Sequence, residues 1–315
     1  MKIVLLDTAT WGEDIDISPL LAVGEITEYK QTHPEQVMDR IRDAHAVVLN
    51  KVNLKQFDLT KLPSLRLICV SSTGYDTVDT AVCQRLGIAL YNVPAYCSDS
   101  VAQITLAMAL TLVTHLTEYR DCVHSGNYTE IGIANRLSPV FHELSSLTWG
   151  VVGGGSIGSR VAELASAFGA RVLLCRRKPD DRYEQADIDE LCRRADIISL
   201  HVPLTEETRG MISRKRIATM KQGAILINVA RGAVTDEQAV ADAILDGSLG
   251  GLGCDVYSTE PFGKDHPFYE LLKRDNVCFT PHMSWGSIEA RARCIETIAK
   301  NVRAYESGDR TNRIV

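Results

Sequence analysis

A chain of 315 residues with 45% hydrophobic residues exceeds the size at which a single core is usual, so length and composition predict two domains, each burying its own core. A net charge of −6 without a basic run of useful length is the wrong balance for a nucleic-acid surface. Nine cysteines without a C-x-x-C pair read as reduced core thiols of a cytoplasmic protein, not as a zinc site or a disulfide framework, and no metal is expected.

Met1 leads straight into an apolar run, leaving no room for a signal peptide. Strands are expected at 3–6, 26–29, 46–49, 65–70 and 88–92, with amphipathic helices between them, one opening at Pro34. Such alternation predicts a parallel sheet covered on both faces. At 70–79 the sequence VSSTGYDTVD carries a strand end into a Ser/Thr/Gly loop, either an ordinary turn or a loop whose backbone N–H groups hold an anionic ligand. Residues 92–103, NVPAYCSDSVAQ, read as a crossing between domains, followed by one long helix from Ser100 to about Tyr119. The apolar stretch 101–116 within it is too short for a membrane span and is interrupted by Gln103, Thr105, Thr111 and His115, which predicts a buried helix. Residues 123–146 read as an irregular, polar arm or loop.

The stretch 147–176, LTWGVVGGGSIGSRVAELASAFGARVLLCR, is the centre of the chain. A β-rich run breaks into Gly153, Gly155 and Gly158 at the spacing G-x-G-x-x-G, then a helical pattern stops at Gly169, and a second strand begins at Val172. Strand, glycine turn, helix and strand in that order suit a dinucleotide site: Gly153 allows the turn, Gly155 lets backbone approach a pyrophosphate, and Gly158 lets helix and strand pack closely. Further strands are expected at 172–175, 197–201, 224–229, 252–256 and 277–279. The last helix opens at Ser287, and its stripe of Ile288, Ala292, Ile295, Ala299 and Val302 would return to the first domain.

Three strand ends in this second half deliver polar residues. INVARG places Arg231 after a buried strand, where a guanidinium needs an anion, from the protein or from a ligand. GCDVYSTEP places Asp255 and Glu260, and FTPHMSWG places His282 and Trp285. A histidine with a carboxylate on its far nitrogen is a suitable proton donor near neutral pH, and an arginine can hold a substrate carboxylate and polarise a carbonyl.

With STGYDTVD, NVPAYCSDSVAQ, VGGGSIG, HVPLTEET, INVARGAV, CDVYSTEP and TPHMSW in this order, the chain resembles the D-isomer-specific 2-hydroxyacid dehydrogenases over nearly its whole length. The resemblance implies two doubly wound α/β domains with a cleft between them. A flavodoxin-like substrate domain would comprise 1–97 plus 287–315 and a Rossmann NAD(P)-binding domain 98–286, usually in a homodimer built on the cofactor domains. It assigns catalysis to Arg231, Glu260 and His282, and carboxylate binding to Ser72, Thr73 and Gly74. Cofactor contacts fall on Gly153, Gly155, Ser156, Ile157, Gly158, Val202, Pro203, Thr208, Val229, Ala230, Arg231, Asp255 and His282. The Asn50–Lys51 pair, STGYD, Trp285 and the ending VRAYESGDRTNRIV look most like glycerate dehydrogenases, also called hydroxypyruvate reductases, adding Lys51 and Trp285 to the substrate side. The family's NAD-type members carry an acidic residue after the second Rossmann strand. Here that place, 18 residues after Gly158, is Arg176, followed by Arg177 and Lys178, so NADP(H) is expected to be preferred and NAD(H) to remain usable. The expected reaction is hydride transfer between the cofactor and C2 of a small 2-keto acid, hydroxypyruvate or glyoxylate. The alternatives are a D-lactate-type or phosphoglycerate-type dehydrogenase, or a non-catalytic dinucleotide-sensing relative of corepressor type. No nucleic-acid or membrane partner is expected.

Overall fold

Apolar runs such as AVVL at 46–49 and LICV at 67–70 have no polar face to show to water, and both become fully buried parallel strands in the structure, a computed structural model that describes all 315 residues. The chain packs into two compact units, residues 1–97 with 286–315, and residues 98–285.

The first unit is a five-stranded, all-parallel sheet. Its strands are β1 (Lys2–Leu5), β2 (Glu25–Glu28), β3 (Ala46–Leu49), β4 (Leu67–Val70) and β5 (Ala89–Tyr91), in the order β2-β1-β3-β4-β5. That is the flavodoxin-like order. The connecting helices are α1 (Ser18–Leu21), α2 (Pro34–Arg40) and α3 (Thr80–Leu86). Pro34 opens α2 in its first turn, Asp79 caps α3 by accepting from Ala81 and Val82 N–H, and Gly87 ends α3 at φ +68°. The terminal helix, α11 (Ile288–Ser307), belongs to this unit. Ser287 caps it, the buried Asn301 donates to Asn92 O, and residues 312–315 run antiparallel along β5, covering that edge.

The second unit holds α4 (Ser98–Val113), α5 (Leu116–His124), α6 (Asn127–Ile131), α7 (Ser156–Ala167), α8 (Ile188–Arg194), α9 (Arg214–Ile217) and α10 (Glu237–Leu245). Its sheet comprises β6 (Thr148–Val152), β7 (Arg171–Cys175), β8 (Glu184–Gln185), β9 (Ile197–Leu200), β10 (Ala224–Asn228), β11 (Leu249–Cys254) and β12 (Val277–Phe279). All pairs are parallel, in the order β12-β11-β10-β9-β6-β7-β8, so the direction of winding reverses between β6 and β9. In open sheets of this kind ligands bind at the carboxyl ends beside that reversal.

The structure departs from the expected single helix over 100–119: it breaks at His115, whose φ of 51° is left-handed, and α4 and α5 meet at 65°. No single helix is long and apolar enough to cross a membrane. The arm at 123–146 is not simply polar. It begins in helix, and Ile133, Leu137, Val140 and Phe141 expose 50–76% of their surface. All nine cysteines are free thiols, seven of them buried.

Candidate active site

At the carboxyl end of β6 the chain must turn into α7 against the neighbouring β9. Gly153 takes φ +102°, and a Cβ there would lie 2.6 Å from His201 O. A Cβ on Gly158 would lie 1.8 Å from Gly153 O, so only glycine lets helix and strand meet. Gly155 faces open space, with nothing within 4 Å of its missing Cβ. The first turn of α7 has no side-chain cap and no acidic residue, leaving the N–H groups of Ser156 and Ile157 and the helix dipole for an anion. This cradle fits a dinucleotide pyrophosphate.

The loop after β9 flanks the cradle. Val202 packs beside Gly153, and Pro203 is exposed. The Thr208 hydroxyl donates to Pro203 O at 2.6 Å and accepts from Thr205 N–H at 2.8 Å, so it shapes the loop from within. His201 Nδ1 is buried without a hydrogen-bond partner, while Nε2 lies 3.0 Å from Ser199 Oγ, which also accepts from Trp149 Nε1. Burial without a countercharge pushes the His201 imidazole down to about 3.

After β7, Arg176 lies across Gly154, with Cδ and Nε each 2.6 Å from where a Cβ would sit, and Arg177 and Lys178 are exposed. The guanidinium is not bare: Asp180 Oδ2 lies 3.2 Å from Arg176 Nη1.

The polar strand ends come together on the other side of the reversal. Asn228, closing β10, accepts from Ala230 N–H and donates to Arg231 O, fixing the turn that carries Arg231; Val229 and Ala230 are buried beneath it. Arg231 Nη1 donates to Ala230 O at 2.8 Å. The next residue must be glycine, since a Cβ on Gly232 would lie 2.1 Å from Ser258 N and from Tyr257 C. That close approach sets the Arg231 turn against the loop bearing Glu260. One Glu260 oxygen accepts from Tyr257 N–H at 3.1 Å, and the other lies 2.6 Å from His282 Nδ1. A carboxylate on Nδ1 assigns the ring proton to that nitrogen and presents Nε2 on the opposite side.

His282 is held from behind. Its φ of 54° is left-handed, a conformation costing a non-glycine residue roughly 1–2 kcal/mol. Asp255 overrides that cost: its fully buried carboxylate accepts from Thr280 Oγ1 at 2.5 Å, Met283 N–H at 2.9 Å and Ser284 N–H at 3.0 Å. Trp285 Nε1 donates to His282 O at 3.0 Å. The resemblance points Asp255 at the cofactor and Trp285 at the substrate, but both polar groups are engaged in holding the His282 segment. Three residues escaped sequence reasoning. Glu237, in the first turn of α10, accepts from Ser258 N–H at 2.9 Å, from the Ser258 hydroxyl, and from His266 Nε2 at 3.0 Å, clamping the loop that carries Glu260. The one sequence signal was a His–Pro pair at 266–267, which opens a short 3-10 helix.

The remaining expected residues belong to the first unit. Ser72 and Thr73 turn their hydroxyls onto Gly74 O and Val93 O, so this loop offers a ligand its backbone. Lys51 is exposed and lines, with Asp7 and Lys30, a cavity of about 520 Å³; its N–H donates to Asp7 at 2.6 Å.

Residues 106–284 match the family model for the NAD-binding domain of D-isomer-specific 2-hydroxyacid dehydrogenases. The chain is 34% identical to a hydroxypyruvate reductase of Blautia hydrogenotrophica, over 99% of each protein. It is 32% identical to a glycerate dehydrogenase of Methylorubrum extorquens, over 99% of this chain and 98% of that one. Among solved structures, it superposes on a D-lactate dehydrogenase from Aquifex aeolicus, complexed with NAD and lactic acid, with a TM-score of 0.87 at 32% identity, covering 100% of this chain and 99% of the other. An acyclic imino acid reductase in complex with NADPH and D-Arg gives 0.88 at 26% identity, with both chains fully covered.

Proposed function

Because the chain belongs to the D-isomer-specific 2-hydroxyacid dehydrogenase family, an enzyme family that uses a nicotinamide dinucleotide, we propose that its substrates are hydroxypyruvate and glyoxylate, reduced at C2 to D-glycerate and glycolate, with NADP(H) preferred over NAD(H). The observation that carries the chemistry is the 2.6 Å contact between Glu260 and His282 Nδ1. Relatives named hydroxypyruvate reductase and glycerate dehydrogenase at full-length coverage support the choice of substrate.

When bound, the nicotinamide supplies the hydride for C2. The protein's residues do the rest. Arg231 pairs with the substrate carboxylate and polarises the adjacent keto group. His282, charged and oriented by Glu260, passes the Nε2 proton to the keto oxygen as the alkoxide forms and is left neutral; the reverse reaction returns the proton. Asp255 and Trp285 keep the ring at its station. Arg176 offers the adenosine ribose a guanidinium where a carboxylate would repel a 2′-phosphate.

We also propose a homodimer, because the apolar side chains exposed along the arm at 131–141 form the kind of surface that a second copy covers.

Oxidation of NADPH and NADH over hydroxypyruvate, glyoxylate, pyruvate and 3-phosphohydroxypyruvate tests the reading. The highest kcat/KM is expected with hydroxypyruvate or glyoxylate. A higher value with pyruvate or the phosphorylated acid would replace the substrate, and no turnover with any of the four would favour a dinucleotide-binding protein.

A further inference from the structure

Beyond Arg176, the turn after β7 holds a second charged group, Asp180, against the same guanidinium. We propose that Asp180 is a determinant of cofactor choice, an internal anion that competes with the 2′-phosphate of NADP(H) for Arg176, and that Arg182 sets how strongly it competes.

The geometry is unequal. Arg182 holds the Asp180 carboxylate with three contacts: Nε to Oδ1 at 2.9 Å, Nη2 to Oδ2 at 2.8 Å, and its backbone N–H to Oδ1 at 3.2 Å. Arg176 reaches it once, at 3.2 Å, beyond the 2.7–2.9 Å usual for a charge-assisted N–H···O bond. The Asp180 side chain is only 12% exposed, so water screens it incompletely. The Arg182 guanidinium, with Arg176 contributing, holds its carboxyl down to about 2, so the group is anionic at any working pH.

Two consequences follow for a ligand at Arg176. A 2′-phosphate must take the guanidinium from Asp180 and then sit beside a carboxylate, which raises the free energy of the NADP(H) complex. A ribose with a free 2′-hydroxyl can donate its proton to the same carboxylate, which favours NAD(H). Arg182 limits both effects by drawing the carboxylate toward itself. Arg176 and Asp180 therefore pull cofactor choice in opposite directions, and the basic run at 176–178 overstates the preference that sequence alone predicts.

This inference rests on the reading that the adenosine ribose lies at Arg176, but its test does not need that reading's NADP(H) preference to be correct. Dissociation constants for NADPH and NADH, measured by quenching of tryptophan fluorescence on the full chain without substrate, give a selectivity ratio for each protein. Asp180→Asn is expected to move the ratio toward NADPH by about tenfold, the scale of one charge-assisted contact, and Arg182→Gln to move it toward NADH. The wild-type ratio judges the NADP(H) preference; the quotient of variant over wild type judges Asp180. A quotient within about twofold of unity for Asp180→Asn, or a shift of both variants in the same direction, overturns the proposal.

Discussion

His282 can act as an acid only if its ring keeps one tautomer and one orientation, and Glu260, Asp255 and Trp285 supply these from three directions. His282→Ala is expected to lower kcat roughly 100-fold or more while leaving the cofactor dissociation constant nearly unchanged, the signature of lost acid/base catalysis. Steady-state kinetics with a fluorescence titration checks it; wild-type turnover across the pH range would remove His282 from the mechanism. His201, whose Nδ1 is buried without a partner, predicts a different pH effect, on stability. Its folded pKa is lowered to about 3 from an ordinary 6.5, so between those values the unfolded chain binds a proton that the folded chain does not. The stabilisation is complete above about pH 6.5 and is lost as pH falls toward 3. Urea titrations at pH 7.5, 5.5 and 4.5 should show a shallower acid decline for His201→Gln than for wild type, and parallel declines would contradict the assignment. Arg231, Glu260 and His282 stood out in the sequence because polar groups at the ends of apolar strands need a reason to be there, and the structure sets Glu260 against His282. Glu237, Ser258 and His266 were not, because Glu237 reads as an ordinary first-turn helix acid until the fold brings residues 258 and 266 onto it.

At the scale of elements, the glycine turn and the Gly232 crossing are places where two backbones meet with no room for a methyl group. Gly158→Ala would put a Cβ 1.8 Å from Gly153 O. The forced shift of α7 should lower stability by roughly 1–3 kcal/mol, the usual scale of overpacking, and weaken cofactor binding more than proportionally. Thermal melting with and without cofactor measures both, and a variant with an unchanged Tm would show that the turn can yield. Most parallel strands of both sheets were readable to within a few residues, since short unbroken apolar runs alternating with helical patterns have few other uses than buried strands. Two features were hidden for physical reasons. Strand β8 is two exposed residues, Glu184 and Gln185, which form a strand only because β7 lies beside them. The bend between α4 and α5 falls at His115, a residue type that breaks no helix by propensity but tolerates the left-handed turn found there.

For the whole molecule, the arm is the feature a single chain leaves unexplained. Leu137 and Val140 are 76% and 74% exposed, and Phe141 stacks edge-on with Tyr119 while showing half its surface to solvent. For the proposed homodimer, Leu137→Glu with Val140→Glu is expected to shift dimer to monomer in sedimentation velocity; a wild type that is already monomeric would refute that proposal. The buried thiols have a different consequence. Burial pushes Cys69 up to about 12, and Cys83, Cys97 and Cys192 to about 11, so the thiolate that an alkylating reagent attacks is almost absent while the fold is closed. Each buried cysteine is thus a stopwatch that runs only when its own element opens, Cys69 timing the sheet of the first unit and Cys254 that of the second. Pulsed alkylation read by mass spectrometry should find that saturating cofactor slows the Cys254 stopwatch and leaves that of Cys69 at its former pace.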